Sequence, residues 1–211
     1  MKKIYVILIT LVLAAVTVMT TAAPVSACHD KDKIHFAIGA GTYNFHISLP
    51  GWEGNDGGLF GACLKEPDKG FFWLKCTYGG GSGSYEKIDA KQVSIGTLDG
   101  KPAVFFWGII TAGESYYEPQ PGTPPLYEPP YYLQPYVNTN GYYKVGVLVD
   151  GGFPGRGKDY FLTSLSIPPD GWGAPGEAIA QYWYDGALAG DPSTLVTFAR
   201  IDVTRGDIIV R

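Results

Sequence analysis

Charge is scarce in this 211-residue chain: Asp, Glu, Lys and Arg make up 17% of it, and the balance is −4. That weighs against nucleic acid as a partner, because phosphate backbones are gripped by clustered Lys and Arg. Cysteine and histidine are scarcer, at three each. The cysteines form no C-x-x-C pair, which argues against a structural zinc cluster. Several motifs are missing as well. There is no G-x-S-x-G elbow for a serine nucleophile. Gly79–Gly83 lacks the Lys-Ser/Thr of a phosphate loop, and no acidic run has the twelve-residue EF-hand spacing. No carboxylate pair sits in a recognisable hydrolase motif, and none of Asn44, Asn55, Asn138 and Asn140 starts an Asn-x-Ser/Thr sequon. Beyond the first 28 residues no stretch shows convincing helical periodicity.

What is present begins with Met1–Cys28. Lys2 and Lys3 are followed by an almost wholly apolar run from Ile4 to Met19, and then by small residues at Val25-Ser26-Ala27. This is the layout of a secretory signal peptide. Val25–Cys28 also resembles the lipobox of bacterial lipoproteins, which implies lipidation at Cys28, although the polar stretch Thr20–Pro24 departs from that pattern. An uncleaved anchor is the third reading, since about 20 apolar residues span a bilayer. Each places the rest of the chain outside the cytoplasm, secreted or anchored, with membrane contact only through the N-terminus. Residues 1–27 are thus read as signal peptide or anchor, and residues 28–211 as a single extracytoplasmic domain. Loss of Lys2 and Lys3 takes the balance from −4 to −6.

Abundant Gly, Pro and Tyr with few charges fit a β-rich extracellular protein with many turns. Ile34–Leu49 alternates with period two and is read as a hairpin reversing at Gly39-Ala40-Gly41, which would set His35 opposite His46. Ala62–Tyr78 reads as a second hairpin about Pro67-Asp68-Lys69-Gly70. It would bring Cys63 and Cys76 together as a disulfide worth roughly 3 kcal/mol for a loop of about 14 residues. Gly79–Ser84 reads as a flexible connection. Asp99-Gly100, between Gln92–Leu98 and Lys101–Thr111, is the strongest short hairpin signal. Gly113–Tyr136 holds seven Pro and six Tyr, so it is expected to be extended and on the surface. Tyr142–Val149, Tyr160–Ile167 and Ser193–Thr204 read as strands. Arg205-Gly206-Asp207 resembles an integrin-binding tripeptide and is read as a turn into a last strand, Asp207–Val210. The fold expected is an all-β antiparallel β-sandwich, of jelly-roll or immunoglobulin-like topology.

The candidate chemistry is thin. His29, His35 and His46, with Asp30 or Asp32, have the donors for zinc or copper, against the plainer reading of histidines on a polar strand face. Glu53, Asn55 and Asp56, and Asp150, Asp159 and Asp170, offer oxygens to calcium, yet Asp-Gly pairs first of all form turns. No cofactor is therefore expected. Trp52 (beside Glu53 and Asp56), Trp172, Trp183 and the Tyr-rich segment are suited to stacking on sugar rings, with Trp52, Glu53, Asp56 and Trp172 as the candidate ligand residues, against ordinary packing. The expectation is a non-catalytic structural or interaction protein of the cell envelope, whose partners are cell-surface components or copies of itself. A carbohydrate- or ligand-binding module is the alternative, and an extracellular hydrolase the third.

Overall fold

A computed structural model of the chain describes residues 35–47, 54–77, 83–116, 136–152 and 158–211. Asp32–Arg211 form one compact unit. Nine strands run β1 Phe36–Ile47, β2 Gly54–Lys65, β3 Lys69–Thr77, β4 Gly83–Leu98, β5 Lys101–Tyr116, β6 Tyr136–Asn138, β7 Tyr143–Val149, β8 Tyr160–Thr163 and β9 Ala199–Val210. Two helices, α1 Gly176–Leu188 and α2 Pro192–Leu195, lie between β8 and β9. All pairings are antiparallel, in the order β4-β3-β2-β1-β9-β8-β7-β5, and β4 pairs back onto β5. The sheet therefore closes on itself as an eight-stranded barrel, with β6 appended to the end of β5.

The expected sandwich is thus corrected to a barrel. Alternation along a strand specifies a buried face but not whether the sheet closes, and closure removes the edges that an open sheet exposes. The expected hairpin in residues 34–49 is corrected too, because β1 runs straight through Gly39-Ala40-Gly41. Those glycines serve close approach rather than reversal: a Cβ on Gly41 would lie 2.2 Å from the Arg205 carbonyl oxygen of β9. Arg205-Gly206-Asp207 likewise lies inside β9, opposite Thr42, Gly41 and Ala40, and makes no turn.

The barrel interior is aromatic. Phe161 packs against Tyr43, Phe60 and Phe72 at centroid distances of 5.3, 5.3 and 5.7 Å, and Phe72 meets Phe106 at 5.3 Å. All five rings are buried. Eight strands enclose just enough space for side chains to fill, and here they fill the middle. Inside, the Tyr43 hydroxyl donates to the Lys75 carbonyl at 3.1 Å and lies 2.8 Å from Cys76 Sγ.

The outer face of β5, β7 and β8 carries a second core of Phe105, Trp107, Val145, Val147 and Leu162, covered by α1. The helix starts after Pro175, has Glu177 in its first turn, and buries Gly176, Ala180, Tyr184 and Ala187. These fall on one face at spacings of four, four and three. Tyr184 Oη anchors the helix to β4 by donating to Ser94 Oγ at 2.7 Å. Strands β5 and β7 are buried on both faces, and so read as continuous apolar runs.

Candidate binding site

Strand β8 is only four residues long, so β9 outruns it. The backbone donors of β9 beyond Asp202 are met by the loop before β8. Val203 N–H donates to the Asp159 carbonyl, and Ile208 N–H to Asp159 Oδ2 at 2.7 Å. Val210 N–H donates to Asp150 Oδ2 at 3.2 Å, while Asp159 Oδ1 and Asp150 Oδ1 accept from Gly151 and Gly152 N–H. Asp150 and Asp159, expected as calcium ligands, are thus occupied closing the barrel seam. Asp170 lies exposed in the loop before α1.

Beside this seam a groove of about 550 Å³ opens on the outside of the barrel, between the β4–β5 turn, β8 and the α1–α2 corner. Leu98, Leu162, Leu195 and Phe198 supply its apolar surface, and Asp99, Tyr160 and Arg200 its polar one. The volume falls in the range of small-molecule sites, which are mostly apolar with a few placed polar groups. Asp99 and Gly100 adopt φ of 53° and 74°, the conformation of a tight hairpin turn. That turn presents Asp99 Oδ2 to the Tyr160 hydroxyl, which donates to it at 3.0 Å. Burial first, then the hydrogen bond and charge of Asp99, push the Tyr160 phenol up to about 12, so it remains a neutral donor. The Arg200 guanidinium carbon lies 3.7 Å from the Tyr160 ring centroid, and Lys101 Nζ lies 5.6 Å from it. Arg200 Nε also donates to Asp202 Oδ1 at 3.3 Å. Two cations thus surround one phenol at the rim of an apolar trough.

An aromatic ladder leads away from the groove. Phe198 stacks edge-on to Trp183 at 6.2 Å, and Trp183 lies 6.0 Å from Trp172. Trp172 is 56% exposed.

A polar trio of buried Glu86 and Lys144 with half-buried Ser166 occupies the opposite end of the barrel. Lys144 Nζ is 2.8 Å from Glu86 Oε2 and donates to Ser166 Oγ at 3.1 Å, while Ser166 Oγ donates to Glu86 Oε1 at 2.6 Å. A serine beside a lysine is a nucleophile–base arrangement only when the amine has a free lone pair. In this ion pair the ammonium has none, and the trio reads as a satisfied internal network.

The other sequence-expected residues scatter. His35 precedes β1 and His46 lies near its far end, 11 positions along one extended strand, or roughly 35 Å. They therefore form no cross-strand pair. Among the described residues no group of three His, Cys, Asp or Glu side chains converges on a metal position. Cys63 and Cys76 are not joined as the expected disulfide. The β2–β3 register sets Cys63 opposite Phe71 and Cys76 opposite Gly58, with Cys63 facing outward and Cys76 inward. Asp56 belongs to β2, opposite Phe45. Cys28, His29, Trp52, Glu53 and residues 117–135 of the Pro/Tyr segment lie outside the described residues. No helix among the described residues is long and apolar enough to cross a membrane.

Tyr160 and Arg200 carried no local sequence signal, since they meet only through the β8–β9 pairing, where Tyr160 faces Asp202. Asp99 was visible only as a turn residue. No protein-family model matches the chain, and neither a curated protein nor a solved structure shows significant similarity to it.

Proposed function

We propose that this chain is a non-catalytic, extracytoplasmic binding protein whose filled barrel is a scaffold. Its ligand sits outside, in the groove beside α1. The observation that supports this is the Arg200–Tyr160 stack above the apolar surface of Leu98, Leu162 and Phe198. A rigid apolar trough with cations at its rim suits a small amphipathic molecule with an anionic end. The extracytoplasmic placement rests on the leader sequence, Lys2-Lys3 followed by Ile4–Met19.

Anilinonaphthalene sulfonate, an aromatic body with one anionic group, is a direct probe. Its fluorescence enhancement should saturate with the wild-type protein and weaken at least about tenfold in affinity for Arg200→Ala, the loss of one charge-assisted contact. Equal binding by Arg200→Ala, or enhancement only on unfolding, would remove this reading.

A second reading has its own observation. Trp172 is exposed and backed by Trp183, as a sugar-stacking platform requires. Titration of soluble oligosaccharides against tryptophan emission tests it, and a response that persists in Trp172→Ala would dispose of it.

A further inference from the structure

The barrel has two unlike sides. On the ring of strands, β2 stands four steps from β7 in either direction, so the β1–β3 wall is opposite the face covered by α1. From Asp159 to Ala199 there is no Lys or Arg, while Asp159, Asp170, Glu177, Asp185 and Asp191 all fall there. The segment that carries α1 and α2 is therefore acidic, with Arg200 and Lys101 as the cations at the groove beside it. The outward positions of β2, β3 and β4 include Lys65, Lys69, Lys75 and Lys87. Among these lysines the register lines up Ile209, Ile38, Cys63 and Phe71 in one row across four strands. Ile38 is 42% and Phe71 37% exposed, and Cys63 between them is exposed. Lys87 Nζ lies 5.9 Å from the Phe71 ring and is paired at 3.4 Å with Asp89, which stands opposite Phe71 on β4, so Lys65, Lys69 and Lys75 are the rim lysines the contact would use.

Apolar side chains in a row, rimmed by lysines on an otherwise acidic protein, mark a contact surface. Two occupants fit an apolar wall: a second copy or a bilayer. Face-to-face pairing of two copies would set lysine rim against lysine rim, whereas an anionic lipid surface meets that rim with opposite charge. The chain's own connectivity points the same way. Only eight positions separate Cys28 from Phe36, where β1 begins, a reach of at most about 28 Å. The apolar row lies at that same end of β1, two residues from Phe36.

We infer that the β9-β1-β2-β3 wall docks flat on an anionic membrane surface through Ile38, Phe71 and the flanking lysines, which turns the α1 side and its groove toward the exterior. The inference rests on the tethered, extracytoplasmic reading of the leader, and is independent of what the groove binds. Docking of this kind is interfacial: apolar side chains enter the headgroup region while lysines meet anionic headgroups.

Cys63 reports the contact from its centre. The full chain is incorporated into vesicles of phosphatidylcholine, or of phosphatidylcholine with about one-third phosphatidylglycerol to supply the anionic surface. Alkylation of Cys63 by a membrane-impermeant maleimide is then followed by peptide mass spectrometry. Anionic vesicles should slow alkylation at least about tenfold relative to neutral ones, and high salt should restore it, because screening weakens the lysine contacts. Lys65→Glu/Lys69→Glu/Lys75→Glu, all exposed positions, should abolish the protection while circular dichroism stays unchanged. Equal rates on the two vesicle types would overturn the inference. So would protection in lipid-free solution that grows with protein concentration, since a second copy would then cover the wall. Vesicle flotation of the same samples reads the tether separately: a chain that does not float with neutral vesicles refutes the tethered reading of the leader, whatever Cys63 does.

Discussion

Asp159 Oδ2 accepts the backbone N–H of Ile208 at 2.7 Å, and its other oxygen accepts that of Gly151 at the same distance. One carboxylate thus takes a β9 ladder donor and a donor of the β7–β8 loop where β8 has ended and β9 continues. Asp159→Asn keeps the shape but gives up one acceptor, because an amide presents a carbonyl on one side and two donors on the other. One buried backbone N–H then faces a donor. The expected cost is about 1–3 kcal/mol at neutral pH. Urea unfolding measures it, and a variant as stable as wild type would mean that the seam does not depend on this side chain.

The same carboxyl makes stability depend on pH in an unusual direction. Burial raises its pKa above 3.8, the two backbone donors oppose that, and hydrogen bonding and repulsion from Asp207 raise it again. A folded state that holds its proton more tightly than the unfolded chain is favoured at low pH. The contribution is complete below 3.8 and is lost as pH rises through the raised value. Asp207→Asn removes the repelling charge. It should flatten this part of the profile and leave the protein equally or slightly more stable at neutral pH. Unfolding free energies measured between about pH 3.5 and 7 in wild type and variant test it, and superimposable profiles would exclude the coupling.

Lys144 and Glu86 pair at 2.8 Å inside the barrel, and both side chains are nearly buried. Lys144→Met leaves the Glu86 carboxylate without its cation and should cost about 3–5 kcal/mol. Adding Glu86→Leu should return most of that, to within about 2 kcal/mol of wild type, because a well-packed apolar pair is often no worse than a buried ion pair. A double variant as unstable as the single one would show that the network, rather than the unpaired charge, sets the cost.

How far the sequence reveals the fold depends on whether a signal is local. The Asp99-Gly100 hairpin and β7 were legible, since turn chemistry and a short apolar run are complete within a few residues. Helix α1 was not, because its buried stripe of Gly176, Ala180, Tyr184 and Ala187 contains only one large side chain. Gly41 and Gly206 mislead for a different reason. Glycine permits a turn, but here the two face each other across the β1–β9 ladder. The disulfide expectation found the right turn and missed the register, in which the two thiols point to opposite sides of the sheet. The groove is the least legible feature, because Asp99, Tyr160 and Arg200 come from three separate parts of the chain and meet only after the barrel closes.

Gly146 illustrates a constraint that only the closed barrel imposes. It faces Phe106 across the β5–β7 ladder, and a Cβ added there would lie 2.4 Å from Phe106 Cζ. Phe106 is buried and packs against Phe72 at 5.3 Å, so the ring has little room to retreat. Gly146→Ala should therefore destabilise by about 1–3 kcal/mol through overpacking, despite the better strand propensity of alanine. Shortening the opposing ring relieves the clash. Phe106→Leu alone opens a cavity and lowers stability, but combined with Gly146→Ala it should cost less than the sum of the two, a coupling of at least about 0.5 kcal/mol. A four-member unfolding cycle measures that term, and strict additivity would mean that the backbone, rather than Phe106, absorbs the added methyl group.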